Sequence, residues 1–319
     1  MLCTKTENRG RKMEKYVILA DVTCDISGEI REYFKIEDYV EGHVHISDGR
    51  DLPTRLDWSL ISRDDFYSAL SNKKLEVTSA AASPEEYYEK LRSYAEAGCK
   101  IISMTISAAI SSTYSVAKKA AERVMGEIAG AEIYTLDSTK MSGAFGLLVA
   151  YAHKLKGDGR SYAEVIAWLE ENKSRVHQMG PIDDLMFIAR RGRITMGKAI
   201  MGSFAGVKPM GDCNREGYVT VLGKTKGIGR ALDVTAKYVE RTALDLKNGY
   251  IIISHSNREA YALKLRELLV CMGAEHVFVS DVFSACATNI GPGMIGAYYL
   301  GEEISEGLTV EREILTSLL

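Results

Sequence analysis

The chain has 319 residues, 46% of them hydrophobic and 26% charged, with 5 prolines and 28 glycines. At roughly 150 residues per domain that length predicts about two domains, and the composition excludes a disordered, collagen-like or low-complexity chain. A formal net charge of −3 excludes a bulk electrostatic attraction for nucleic acid or anionic lipid.

Residues 1–14 are polar and basic and read as a disordered leader, with Met13 as an alternative start. Tyr16–Asp21 is a short apolar run ending in Asp, the pattern of a buried parallel strand. Tyr39–Ile46 alternates and ends at the Asp48-Gly49 turn; Ser62 starts a weak helix before Phe66. Ser83-Pro84-Glu85-Glu86 is a strong helix start, with a hydroxyl cap, proline at the first helical position and a glutamate three residues on. Strand Lys100–Ile106, helix Thr113–Ile128, strand Ala131–Asp137 and helix Ser142–Lys156 follow, and Ser161 with Glu164 opens a second capping box.

This βα series predicts a parallel sheet with helices on both faces, in an N-terminal α/β domain over 15–170. Further on, Val207–Met210 and Tyr218–Leu222 read as a hairpin around Asn214–Gly217. Helix 227–246, strand Tyr250–Ser254, helix Glu259–Met272 and strand His276–Ser280 complete the series. A hairpin within a βα series predicts a second α/β domain, 171–319, built on a mixed sheet.

No apolar run reaches the ~18 residues of a membrane span, so no stable membrane insertion is expected. The six cysteines are scattered without a CxxC pair, which predicts reduced thiols, a cytoplasmic protein and no zinc ribbon.

Three loops combine small and hydroxyl residues beside predicted elements: Thr78–Pro84, Ser107–Thr113 and Asn289–Gly293. Ligands of open α/β sheets bind beyond the carboxyl ends of the strands, where helix N-termini offer free amides. Hydroxyls there suit a small anionic head, although ordinary N-caps use the same residues.

These segments resemble the DegV family of bacterial fatty-acid-binding proteins over Tyr16 to Gly301. Leu19–Asp25 (LADVTCD) is similar to LxDSTxDL, Thr78–Pro84 to TTSQPSP, and Ile106–Tyr114 (ISAAISSTY) to ISSxLSGTY. Tyr134–Ser138 with Ser142-Gly143 resembles VxDSxxxSxG, and Ile188–Thr195 (IARRGRIT) resembles LKRGGRIS. Val207-Lys208-Pro209 with Gly223–Gly227 resembles IKP followed by GKxRG, and Gly291-Pro292-Gly293 matches the GPG of HTGPG. The resemblance implies two α/β domains with a ligand tunnel between them. It implies a long-chain fatty acid as ligand, no other cofactor and no metal. Catalysis would fall to a separate fatty acid kinase to which the chain presents the carboxylate. The implied ligand-binding residues are Thr78, Ser79, Ser107, Ser111, Thr113, Arg193 and Asn289. Departures from the family pattern fall at Ala80, Ala81, Ala82, Ala108, Ser112 and Asn289. At Asn289 the family's potentially cationic histidine gives way to a neutral amide.

Other patterns point elsewhere. Gly223–Gly229 fits GxxxGxG and Tyr114–Lys118 fits YxxxK, the signature of an NAD(P)-dependent short-chain oxidoreductase. Their order is reversed, because a dinucleotide loop belongs after the first strand. His43 and His45 share a strand face without a third ligand at a suggestive spacing, and read as surface histidines. Arg190, Arg191 and Arg193 form a basic knot: a solvated turn, a head-group contact from Arg193, or a phosphate-facing docking surface from Arg190 and Arg191. Asp25 reads as the cap of the following helix, and Asp21 and Asp137 as strand-end acids.

Overall fold

The computed structural model describes residues 14–195 and 206–319. Of the expected leader, residues 1–13 lie outside the described residues.

The chain begins with β1 (Tyr16–Asp21), α1 (Gly28–Phe34), β2 (Tyr39–Val40), β3 (His43–Ile46) and β4 (Arg50–Pro53). It continues through α2 (Arg63–Ser71), β5 (Val77–Ala80), α3 (Pro84–Glu96), β6 (Lys100–Thr105), α4 (Thr113–Glu127), β7 (Ile133–Asp137), α5 (Ser142–Gly157) and α6 (Tyr162–Asn172). Strands β2-β1-β6-β7 form a parallel sheet, with Val17 opposite Ile101 and Ile101 opposite Ile133. Helices α3 and α4 cover one face through Tyr87, Leu91, Ala117 and Val124; α1, α5 and α6 cover the other. Both capping boxes form, Ser83 with Glu86 and Ser161 with Glu164.

A three-stranded antiparallel sheet, β4-β3-β5, is set into this unit. The Asp48-Gly49 turn closes its hairpin, with Gly49 at φ 102°, a conformation glycine adopts without steric cost. The sequence pattern missed β5: its Val-Thr-Ser-Ala run is short and small, and only pairing with β3 makes it a strand. Thr78 and Ser79, expected in a loop, therefore sit on a strand and point to opposite faces.

The second half runs β8 (Val176–Met179), α7 (Leu185–Arg190), β9 (Ile194–Thr195), β10 (Val207–Cys213), β11 (Val219–Lys226) and α8 (Ile228–Thr242). Then come β12 (Tyr250–His255), α9 (Glu259–Cys271), β13 (His276–Asp281), α10 (Ser284–Ile290), β14 (Ile295–Leu300) and α11 (Thr309–Leu318). Its main sheet is mixed, ordered β13-β12-β14-β8: β12 and β13 are parallel, and β14 is antiparallel to β12 and β8. The expected hairpin is β10-β11, with β9 added alongside β11.

Helix α5 joins the halves. Ten of its residues from Ser142 to Ala152 are buried, without the polar face of a surface helix. It packs on β1 from one side and on β12 and β14 from the other. Two glycines permit this. A Cβ on Gly143 would lie 2.4 Å from Ser254 Oγ and the Tyr298 ring, and one on Gly146 would lie 2.3 Å from the Cys24 carbonyl oxygen. The largest apolar cluster accordingly runs from Ile18, Phe34 and Phe145 into Ile252, Phe278 and Tyr298.

Candidate functional site

A cavity lies between the two halves and holds about 1230 Å³ of empty space, counted out into its mouth. Its walls are mainly apolar. The first half supplies Val22, Tyr87, Ile106 and Ile110, and the second supplies Met179, Ile182, Ile188 and Met294. Such surface, wetted in the absence of a ligand, favours an apolar occupant by about 0.8 kcal/mol per buried methylene.

The lining also carries two polar pairs. Ser79 stands on β5 and Asn289 in the last turn of α10, and Asn289 Nδ2 donates to Ser79 Oγ at 3.0 Å. Ser111 and Thr113 precede and begin α4, their hydroxyl oxygens 2.8 Å apart, and Thr113 N also donates to Ser111 Oγ at 3.3 Å. Arg193 reaches the lining from the exposed turn after α7, its guanidinium donating to the Arg191 carbonyl. Ser79, Ser111, Thr113, Arg193 and Asn289 thus all line one cavity, although Ser79 and Asn289 are 210 residues apart.

Two of the expected residues are not in the lining. Thr78 pairs with His45 across the β3–β5 ladder, on the face opposite Ser79. Ser107 is fully buried, and its hydroxyl accepts from Ala109 N at 3.2 Å, shaping the turn into α4. Asn289 also departs from the expectation for its loop. It ends a helix rather than preceding one, so no free amides surround it.

Asp21 caps the 3-10 turn Val22–Cys24 by accepting from Thr23 N, and its other oxygen accepts from Ile106 N at 2.8 Å. Burial pushes its carboxyl up, against the lowering effect of these bonds. Asp25 was expected to cap α1, but Ser27 holds that position. Instead Asp25 is buried between the halves, accepting from Ser142 Oγ at 2.6 Å and from Phe283 N at 2.9 Å. Its backbone carbonyl accepts from Ser280 Oγ at 2.7 Å. Burial raises its carboxyl to about 7, hydrogen bonds notwithstanding. The sequence held no signal for this contact, because Ser142 and Phe283 are remote in the chain.

The competing patterns do not assemble into sites. Gly223 lies in β11, a strand of an antiparallel hairpin, so the glycine run does not form the turn after a parallel strand that a dinucleotide needs. Tyr114 and Lys118 lie on α4 in the other half. His43 pairs with Glu86 and His45 with Asp51, each at 3.0 Å. Among the described residues no group of three or more His, Cys, Asp or Glu side chains is placed to hold a metal ion. Arg191 donates to Val77 O at 3.0 Å and lies over the Phe187 ring. Among the described residues no helix is long and apolar enough to cross a membrane.

Two α/β units around an apolar cavity with a hydroxyl-and-amide wall define the architectural class. The DegV family model, described as "Uncharacterised protein, DegV family", matches residues 15–302, and the chain belongs to that family. A DegV domain-containing protein of Clostridium perfringens is 27% identical over 291 residues, 91% of this chain and 99% of that protein. A DegV family protein from Thermus thermophilus, described by its fatty acid binding, superposes with a TM-score of 0.79 at 24% identity, covering 90% of this chain and 99% of its own. A stearic acid-binding protein from Eubacterium ventriosum gives 0.76 at 21%, with 90% and 99% covered. These likenesses establish the fold.

Proposed function

We propose that this protein is a non-catalytic carrier that binds a long-chain fatty acid in the cavity between its halves. The acyl chain lies along the apolar walls, as in a tunnel, and the carboxyl head meets the hydroxyls of Ser79, Ser111 and Thr113, with Arg193 at the rim. One observation carries the reading: the mainly apolar cavity is also lined by hydroxyls from two separate chain segments, Ser79 and Ser111 with Thr113, and by the Asn289 amide from a third. Family membership and the fatty acids named for solved relatives support it. The chain then presents the head group to a separate ATP-dependent kinase, which forms the acyl phosphate.

The test is displacement of a fluorescent fatty acid by straight-chain acids of increasing length. Affinity should climb steeply from octanoate to palmitate and level off where the cavity ends. Equal displacement by acetate and palmitate would refute the carrier reading. Titration with NADH should give no binding.

A further inference from the structure

Resting on the reading of the cavity as an acyl site, we infer that its polar wall selects a head group that is neutral and carries a hydrogen-bond donor beside an acceptor. A long-chain acid taken up with its proton has this chemistry, and so does a primary acyl amide.

The argument is an inventory of donors and acceptors. The Asn289 amide has two N–H donors and one carbonyl acceptor. Its Nδ2 donates to Ser79 Oγ at 3.0 Å and approaches the Ala285 carbonyl at 3.4 Å. Because a carbonyl oxygen only accepts, this contact favours the amide orientation with nitrogen on that side. Both donors are thereby committed. Asn289 Oδ1 has no hydrogen-bond partner among the described residues, and Asn289 lines the cavity. It therefore offers an incoming head group a bare acceptor.

The neighbouring hydroxyls supply the complement. Ser79 Oγ accepts from Asn289, which leaves its own proton to donate. Ser111 and Thr113 share one hydrogen bond between their hydroxyls, so one proton of that pair remains for a ligand. The Ser79–Asn289 pair thus presents a hydroxyl donor beside an amide acceptor, and the Ser111–Thr113 pair offers the cavity a further hydroxyl donor. An ionised carboxylate has only acceptors, and one of its oxygens would face the lone pairs of Asn289 Oδ1. A carboxylic acid or primary amide satisfies the Ser79 donor and the Asn289 acceptor at once. A polar group buried without its partner costs binding heavily, so this mismatch discriminates between heads.

The charged groups around the cavity are few and of both signs. Asp21 on β1 and Glu41 after β2 line it, and Arg193 is the lining cation among the described residues. Tyr87 on α3, Cys286 on α10 and Tyr298 on β14 are the other titratable groups in the wall, and Asp25 stands behind Ser142. Burial raises Asp21, Tyr87, Cys286 and Tyr298, so each is displaced toward its neutral form.

The experiment compares laurate with lauramide, each displacing a neutral-headed fluorescent lipid from the full chain between about pH 5.5 and 8. Lauramide does not titrate, so it reports any pH effect of the protein's own groups, Asp25 included. Dividing one affinity by the other isolates the ligand's proton. The expected result is a preference for lauramide that grows about tenfold per pH unit, the slope of a single ligand proton. Asn289→Ala, which removes the acceptor, should shrink that preference at pH 8 by about threefold or more. Where the ratio follows that slope, clear laurate binding at pH 7 marks an acid carried with its proton, and tight lauramide binding without laurate marks an acyl amide. A flat laurate-to-lauramide ratio, or laurate favoured at pH 8, would overturn the inference and leave the carrier reading standing. Failure of both ligands, together with every longer acid and amide, would refute the carrier reading itself. The pH series on the unaltered protein decides the matter even if the variant does not fold.

Discussion

Asp25→Asn should make the protein less sensitive to alkaline pH. Asp25 is fully buried, and burial raises its carboxyl to about 7 in the folded state, against roughly 3.9 for an exposed aspartate. Between those values the folded chain holds a proton that the unfolded chain has released. Stability contributed by this proton is complete below about pH 4 and is lost as pH rises through 7. At 1.36 kcal/mol per unit, the full difference is about 4 kcal/mol, of which roughly 2–3 kcal/mol falls between pH 5 and 8. Asparagine keeps an acceptor for Phe283 N and can donate to Ser142 Oγ, but never acquires the charge. The assay is urea unfolding of both proteins at pH 5 and pH 8. Two other groups act in the same direction. Asp21 is raised by burial. The His177 imidazole, which burial alone would depress, is held up by the charge and hydrogen bond of Asp212. Subtracting the variant's pH dependence from that of the parent removes both. Parallel curves, with no divergence of at least about 1 kcal/mol across this range, would refute the assignment of a buried, proton-holding Asp25.

Changing Ser79 and Ser111 together to Ala removes two hydroxyls from the head-group wall; at roughly 0.5–1.5 kcal/mol each, acyl affinity should fall about tenfold, read by fluorescent-lipid displacement. Each added methylene of a straight-chain acid should tighten binding by up to about fourfold until the cavity is filled, a series measurable by calorimetry. Gly146→Ala places a methyl 2.3 Å from the Cys24 carbonyl oxygen, a backbone atom held between the halves. It should lower the unfolding free energy by about 1–3 kcal/mol despite the better helix propensity of alanine, as thermal or urea unfolding would show.

Much of the fold was legible because local signals were strong and consistent. The apolar run of β1, the capping boxes at Ser83 and Ser161, and the hairpin at Asn214–Gly217 all declare themselves within a few residues. β5 did not, since four small residues become a strand only through pairing with β3, 30 residues earlier in the chain. The polar wall was legible as residue types in three loops, and five of the seven expected positions line one cavity. Thr78 and Ser107 fell outside it for ordinary geometric reasons: strand alternation turns Thr78 away, and a turn buries Ser107. Asp25 was misread because its partners, Ser142 and Phe283, are brought to it by the packing of one half on the other. No periodicity or motif encodes a contact of that range.

The place of α5 bears on how this chain can be cut. A boundary near residue 170 looks natural along the sequence, yet a fragment ending there would carry a helix with one apolar side bare, the side that meets Tyr298 and Ser254. The complementary fragment would lack the surface on which β12 and β14 rest. Each piece would be sticky, and neither would possess the cavity. The two sheets behave as two covers bound to one spine. Opening them like a hinge would mean unpacking that spine, which holds the covers at a fixed separation.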